Sequence, residues 1–156
     1  FDPEFCFYGP MGYDIGNVIA NMIFAWANGD AAGAADFCKW VEDVLVDVIN
    51  MTKEKMEKYY DEHVTDTMCR NELYKKYYMD TIIEDTSAVA GLELIRRIVG
   101  MANVKDITTI ADEAKRARAE KICITAAIDF IKNRSDKKCG KCFLKTLKDA
   151  IAEVDA

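Results

Sequence analysis

From Ile15 to the end of the chain, apolar residues return at three- and four-residue intervals, a spacing that leaves little room for anything but α-helices. Ile15, Val18, Ile19, Met22, Ile23 and Trp26 stand at i, i+3, i+4, i+7, i+8 and i+11 and form a wide apolar stripe. Asp14 is placed to cap this helix and Gly29 to end it, with residues 28–33 as the turn. A second helix carries Phe37, Trp40, Val41, Val44, Leu45 and Val48. It continues into a charged run over residues 53–62, a solvated face supported by pairs such as Glu54–Lys58.

The same periodicity predicts a third helix over residues 67–78, with Leu73, Tyr74, Tyr77 and Tyr78. A fourth, over residues 87–101, opens with the small residues Ser87, Ala88, Ala90 and Gly91. A long fifth helix starts with Asp106 or Thr108 as cap, on a seam of Ile110, Ala114, Ala117, Ile124, Ile128 and Ile131. The last carries Phe143, Leu147, Ala150 or Ile151, and Val154. No hairpin signal and no internal repeat interrupts the pattern. The expected fold class is all-α, with at most a strand remnant over residues 5–8.

A chain of 156 residues suits one compact domain with a real core. Apolar residues at 51% and charged residues at 31% describe a folded chain. With 21 basic against 27 acidic residues the net charge is −6, which argues against nucleic acid or an anionic membrane as main partner. The most apolar stretch, residues 15–27, is too short and too polar to span a bilayer. A cytoplasmic location is expected, with the six cysteines mostly as reduced thiols.

The first residues break the helical rule. Pro3 lacks a backbone donor and pushes Asp2 toward extended backbone. In an extended segment Asp2 and Glu4 project to one side, so both carboxylates can reach one hard cation. Solvated acids in a polar tail are the plain alternative. Because the chain opens at Phe1, directly on this segment, it reads as a piece of a longer protein that begins just before its metal ligands.

Arg96 and Arg97 are a second candidate site. Neighbouring helical residues point about 100° apart, so both can hold one ligand only if it sits between them. Arg97 lies one turn from Glu93 and can form a surface pair, whereas Arg96, near Leu92 and Val99 at the margin of the apolar face, is better aimed at a groove.

Cys139-Gly-Lys-Cys142 reads as a turn with two thiols. A zinc site wants two further ligands, and a thioredoxin-type motif wants a βαβ setting. His63, the single histidine, reads as an exposed helix-end residue, so no nucleophile set with histidine can be built. Tyr8-Gly-Pro-Met-Gly12 lacks the lysine and glycine spacing of a phosphate loop.

The string Asp-Pro-Glu-Phe-Cys-Phe-Tyr-Gly-Pro-Met-Gly-Tyr-Asp-Ile-Gly (residues 2–16), followed at once by a helix, resembles the metal-binding segment of methylthioribose kinases. These small-molecule kinases have a protein-kinase-like fold, and there an Asp-x-Glu stands where protein kinases carry Asp-Phe-Gly. The stretch Gly91-Leu-Glu-Leu-Ile-Arg-Arg-Ile-Val-Gly-Met-Ala-Asn-Val104 is similar to the family's paired-arginine region. The resemblance covers essentially the whole chain, residues 1–156, as a single helical C-terminal lobe portion, with the N-terminal lobe and the His-x-Asp catalytic loop outside it.

It implies ATP-dependent phosphorylation of 5-methylthioribose at its 1-hydroxyl, a step of methionine salvage, by a homodimer. It implies that Asp2, Pro3 and Glu4 form the ATP and metal segment, with Asp2 and Glu4 on Mg²⁺, and that Arg96 and Arg97 face the sugar and the transferred phosphoryl group. No catalytic base falls within the chain, so the chain alone is expected to be inactive. Asp14 takes a structural part in such folds, buttressing the catalytic loop. The rival expectations are another sugar, choline or aminoglycoside kinase of the same superfamily, and a non-catalytic helical interaction module.

Overall fold

A computed structural model describes residues 7–156, and among them all regular structure is helical. The elements are α1 (Tyr13–Ala31), α2 (Ala35–His63), α3 (Glu72–Ile98), a single turn α4 (Lys105–Thr108), α5 (Glu113–Lys132), a 3₁₀ turn (Arg134–Asp136) and α6 (Gly140–Val154). Helix α3 packs against both α1 and α5, while α6 closes the bundle against α5 and α2. Phe24, Phe130 and Phe143 are fully buried at its centre, the last two with ring centroids 5.4 Å apart. Burial of each such ring contributes about 1.5–3 kcal/mol.

In α1 the stripe is real: Ile19, Ile23, Phe24, Trp26 and Ala27 are buried, though Val18 lies outside it. The ends differ from expectation. Gly12 takes the N-cap position with no side-chain cap, and Asp14 sits inside the first turn, where a carboxylate suits the positive end of the helix. Gly29 lies within the helix; a Cβ there would come 2.7 Å from the Phe37 ring, so its role is close packing. The turn residue is Gly33, whose φ of 75° suits glycine.

Helix α2 buries Cys38, Val41, Leu45 and Ile49, but Phe37 and Trp40, expected inside, are exposed and stack on one another. The Glu54–Lys58 pair is not formed among the described residues; Lys58 turns to Glu62 instead, at 3.9 Å. From residue 50 onward α2 buries nothing, and neither do the first seven residues of α3, so the two extend as an arm beyond the core. Tyr60 and Tyr78 join its two sides, ring centroids 5.7 Å apart.

The predicted third and fourth helices are one. Met79, Ile82, Ile83 and Thr86 continue the buried face, and residues 79–86 contain no glycine or proline to break it. Asn71 caps α3 through its Oδ1, which accepts from the backbone N–H groups of Leu73 (2.9 Å) and Tyr74 (3.3 Å). The long fifth helix is instead interrupted. Asp106 and Thr108 belong to the short α4, and Asp112 caps α5 by accepting from the N–H groups of Ala114 and Lys115.

The buried seam of α5 is Ala119, Ile122, Cys123, Ala126, Ala127 and Phe130, while Ala114, Ala117 and Ile128 face solvent. Small side chains let α5 approach α3 closely; a Cβ at Gly91 would lie 2.7 Å from the Ala127 carbonyl oxygen. In α6, Phe143, Leu147 and Ala150 are buried as the spacing predicts. Phe7 and Tyr8 lie in no strand, and the other two residues of the expected strand remnant, Phe5 and Cys6, fall outside the described residues.

Candidate functional site

The last turns of α3 carry an arrangement that starts from a buried acid. Ala90, Gly91 and Leu94 face the core, and Glu93 shares that buried face with only 6% exposure. Placed at i+3 and i+4, Arg96 and Arg97 both reach back to it. Arg96 donates from Nε to Oε2 at 2.6 Å and from Nη2 to Oε1 at 2.9 Å, a two-pronged grip. Arg97 donates from Nε to Oε1 at 2.8 Å and from Nη1 to the Ala102 carbonyl at 3.2 Å.

The ligand between the two arginines is therefore an internal carboxylate. Burial alone would raise the Glu93 carboxyl, but the hydrogen bonds and charges of Arg96 and Arg97 outweigh it and hold the group below its ordinary value. Two cations against one anion leave the cluster with a net positive charge. Among the described residues no acceptor engages Nη1 of Arg96 or Nη2 of Arg97, and the Arg96 side chain is 55% exposed. These donors can take an anionic or hydroxyl-rich ligand while Glu93 fixes the guanidinium planes.

Arg96 does not sit beside a buried stripe as the helical wheel implied. Leu92 and Val99 are 58% and 70% exposed, so its flank is an open apolar surface. With its amide nitrogen facing the helix, Asn103 donates to the carbonyl oxygens of Arg97 (3.2 Å) and Gly100 (3.1 Å) and closes the C-terminal end of α3.

The residues before α1 pack along the middle of α3, where the Tyr78 hydroxyl meets Met11 Sδ at 2.9 Å and a Cβ at Gly12 would press on Ile82 and Thr86. Tyr13 lies within electrostatic range of Arg96, and the Phe7 ring packs edge-on against Tyr13 at 4.9 Å. Asp2, Pro3 and Glu4 themselves lie outside the described residues.

Among the described residues, no hydrogen bond joins the remaining candidates to this cluster. Asp14 is exposed and caps nothing. His63 is exposed at the end of α2, 3.9 Å from Glu62. Cys139 and Cys142 stand 3.3 Å apart at the start of α6. An apolar cleft of about 450 Å³, lined by Met11, Met56, Tyr60, Tyr74 and Tyr78 among others, lies at the opposite end of α3 from the arginines. It offers no charged group to a phosphate.

No family model matches the chain. Known proteins do. It is 34% identical over 152 residues to methylthioribose kinase 1 of Oryza sativa subsp. japonica, covering 85% of this chain and 35% of the rice protein. A methylthioribose kinase of Bacillus pumilus is 32% identical over 131 residues (84% and 32%), and one of Escherichia coli is 30% identical over 147 (85% and 35%). This chain is a homologue of one segment of the methylthioribose kinases. It spans about a third of the length of those relatives.

Glu93 is the functional-site residue that the spacing of the sequence reveals only in part. It was legible as a partner for Arg97 alone; its burial and its second partner follow from the face that Ala90 and Leu94 share with it. No helix among the described residues is long and apolar enough to cross a membrane.

Proposed function

We propose that this chain is the helical C-terminal lobe of a kinase that transfers the γ-phosphoryl group of ATP to the 1-hydroxyl of 5-methylthioribose. The observation that carries the reading is the Glu93–Arg96–Arg97 cluster in a chain related to methylthioribose kinases. Phosphoryl transfer needs positioning of the reactants and cations for the charge on the equatorial oxygens. Arg96 and Arg97, pre-oriented on Glu93, supply such cations together with planar donors for ribose hydroxyls.

Asp2 and Glu4 offer hard oxygen donors of the kind that suits Mg²⁺, and in this reading they hold it. When bound, Mg²⁺ neutralises charge on the nucleotide's phosphates. The lysine for the nucleotide and the base for the acceptor hydroxyl are assigned to the two thirds of the relatives' length that this chain does not cover. A homodimer in the cytoplasm, serving methionine salvage, belongs to the same reading.

The test is acceptor specificity in a chimera, with this chain replacing the matching segment of the rice kinase. ATP-dependent phosphorylation should be seen with 5-methylthioribose and should fall at least about a hundredfold with choline or an aminoglycoside. A folded chimera that prefers either of those acceptors, or that phosphorylates none while the rice parent is active, would overturn the assignment.

A further inference from the structure

The start of α6 holds two thiols in a rigid setting that the kinase reading does not use. Cys139 precedes the helix and Cys142 is its third residue, so one turn of backbone brings the sulfurs to 3.3 Å. Both side chains are half-buried and thus within reach of a small reagent.

The loop that carries them is fixed from three directions. The Gly140 N–H donates to Asn50 Oδ1 on α2 at 2.9 Å, and a Cβ at Gly140 would fall 2.2 Å from the Val46 carbonyl oxygen, so the backbone is pressed onto α2. Just before it, the buried Lys137 donates to Asp129 on α5 at 2.6 Å. The same carboxylate accepts from the Thr146 hydroxyl on α6, also at 2.6 Å. A disulfide needs the sulfurs about 2.05 Å apart, so little more than 1 Å of closure separates dithiol from disulfide.

The surroundings also favour a thiolate. Burial pushes the Cys142 thiol up, but the Cys139 thiol, backbone groups of Lys138 and Cys139, and the Lys137 charge outweigh it and bring the group below its ordinary value. Cys123, by contrast, is pushed up to about 12 by burial, and Cys38 is raised as well.

We propose that Cys139 and Cys142 form a reversible dithiol–disulfide site that reacts with low-molecular-weight disulfides. The Cys142 thiolate attacks one sulfur of the external disulfide, which forms a mixed disulfide and expels one thiolate that takes up the Cys142 proton. Cys139, losing its proton, then attacks the Cys142 sulfur and expels the second thiolate, which takes up that proton. Two electrons pass from the protein dithiol to the external disulfide, which leaves as two thiols.

Oxidised glutathione is the probe. The chain is incubated with it at neutral pH, trapped with a maleimide under denaturing conditions, and read by intact mass and peptide mapping. The expected product has lost two hydrogens, carries a Cys139–Cys142 cross-link with no retained glutathione at either residue, and returns to the dithiol with dithiothreitol. In a Cys139→Ser variant one glutathione should stay on Cys142, added about ten times faster than on Cys69. Retained glutathione on both cysteines of the unmutated chain, a cross-link from either to a different cysteine, full maleimide labelling of both, or equal rates at Cys142 and Cys69 would each overturn the proposal.

Discussion

Glu93 lies buried beneath Arg96, whose guanidinium grips the carboxylate with hydrogen bonds of 2.6 and 2.9 Å. The pairing explains how two adjacent, partly exposed arginines keep a fixed orientation at the end of a helix. It also makes the cluster sensitive to acid. The folded carboxyl lies below its ordinary value of 4.5. Its contribution to stability is therefore complete above the ordinary carboxylate range and lost as pH falls through the depressed folded value.

Replacing Glu93 with Gln should remove that dependence. At neutral pH the variant should lose about 1–3 kcal/mol, the cost of leaving charged donors without their acceptor. Urea titrations at neutral and acid pH check this. The two proteins should converge in stability as pH drops below the usual carboxylate range; a constant gap would show that the Glu93 charge is irrelevant.

At the arginines, kinetics and stability should separate. In the active chimera Arg96→Lys should lower kcat/KM about ten- to a hundredfold, because an ammonium cannot reproduce the planar fork. The cost in stability should stay below about 1 kcal/mol, as for other partly exposed ion pairs. Arg97→Ala should also reduce turnover, by less, since Arg97 already spends Nη1 on the Ala102 carbonyl. Loss in turnover would place the contact in the transition state, and loss in KM alone would place it on the ground-state sugar.

Asp129 anchors a different region. It accepts from Lys137, Thr146 and Asn133, each at 2.6 Å. Burial would raise its carboxyl, but these hydrogen bonds and the Lys137 charge hold it low. Asp129→Ala leaves a buried lysine without its acceptor and should cost about 2–3 kcal/mol. Thermal unfolding of this variant beside Lys137→Met measures the coupling: the double variant should be less destabilised than the sum of the two.

Helices α1 and α6 were legible because large apolar residues carry their buried faces; Ile19, Ile23 and Phe24 in one, Phe143 and Leu147 in the other, announce the period directly. The buried face of α5 is hard to read from sequence because Ala119, Cys123, Ala126 and Ala127 give a weak hydrophobic signal while allowing close approach to α3. The larger isoleucines Ile124 and Ile128 sit at its margin or in solvent. Helix α3 looked like two because Asp80, Glu84 and Asp85 dilute its middle. Asp80 and Glu84 are taken up by Lys76 and Lys138 at the surface, and the helix runs on. At the candidate site the Glu93–Arg97 pair followed from spacing alone, whereas the second grip by Arg96 needed the burial of Glu93.

In the proposed function this chain brings a metal–nucleotide segment and a substrate-facing arginine pair to one kinase. Its most direct test is the turnover of the chimera with ATP, Mg²⁺ and 5-methylthioribose, before and after the paired change Asp2→Asn, Glu4→Gln. Two carboxylates that hold the metal should be worth at least about a thousandfold in kcat, with thermal stability nearly unchanged. Near-normal turnover in the double variant would show that these carboxylates do not hold the metal.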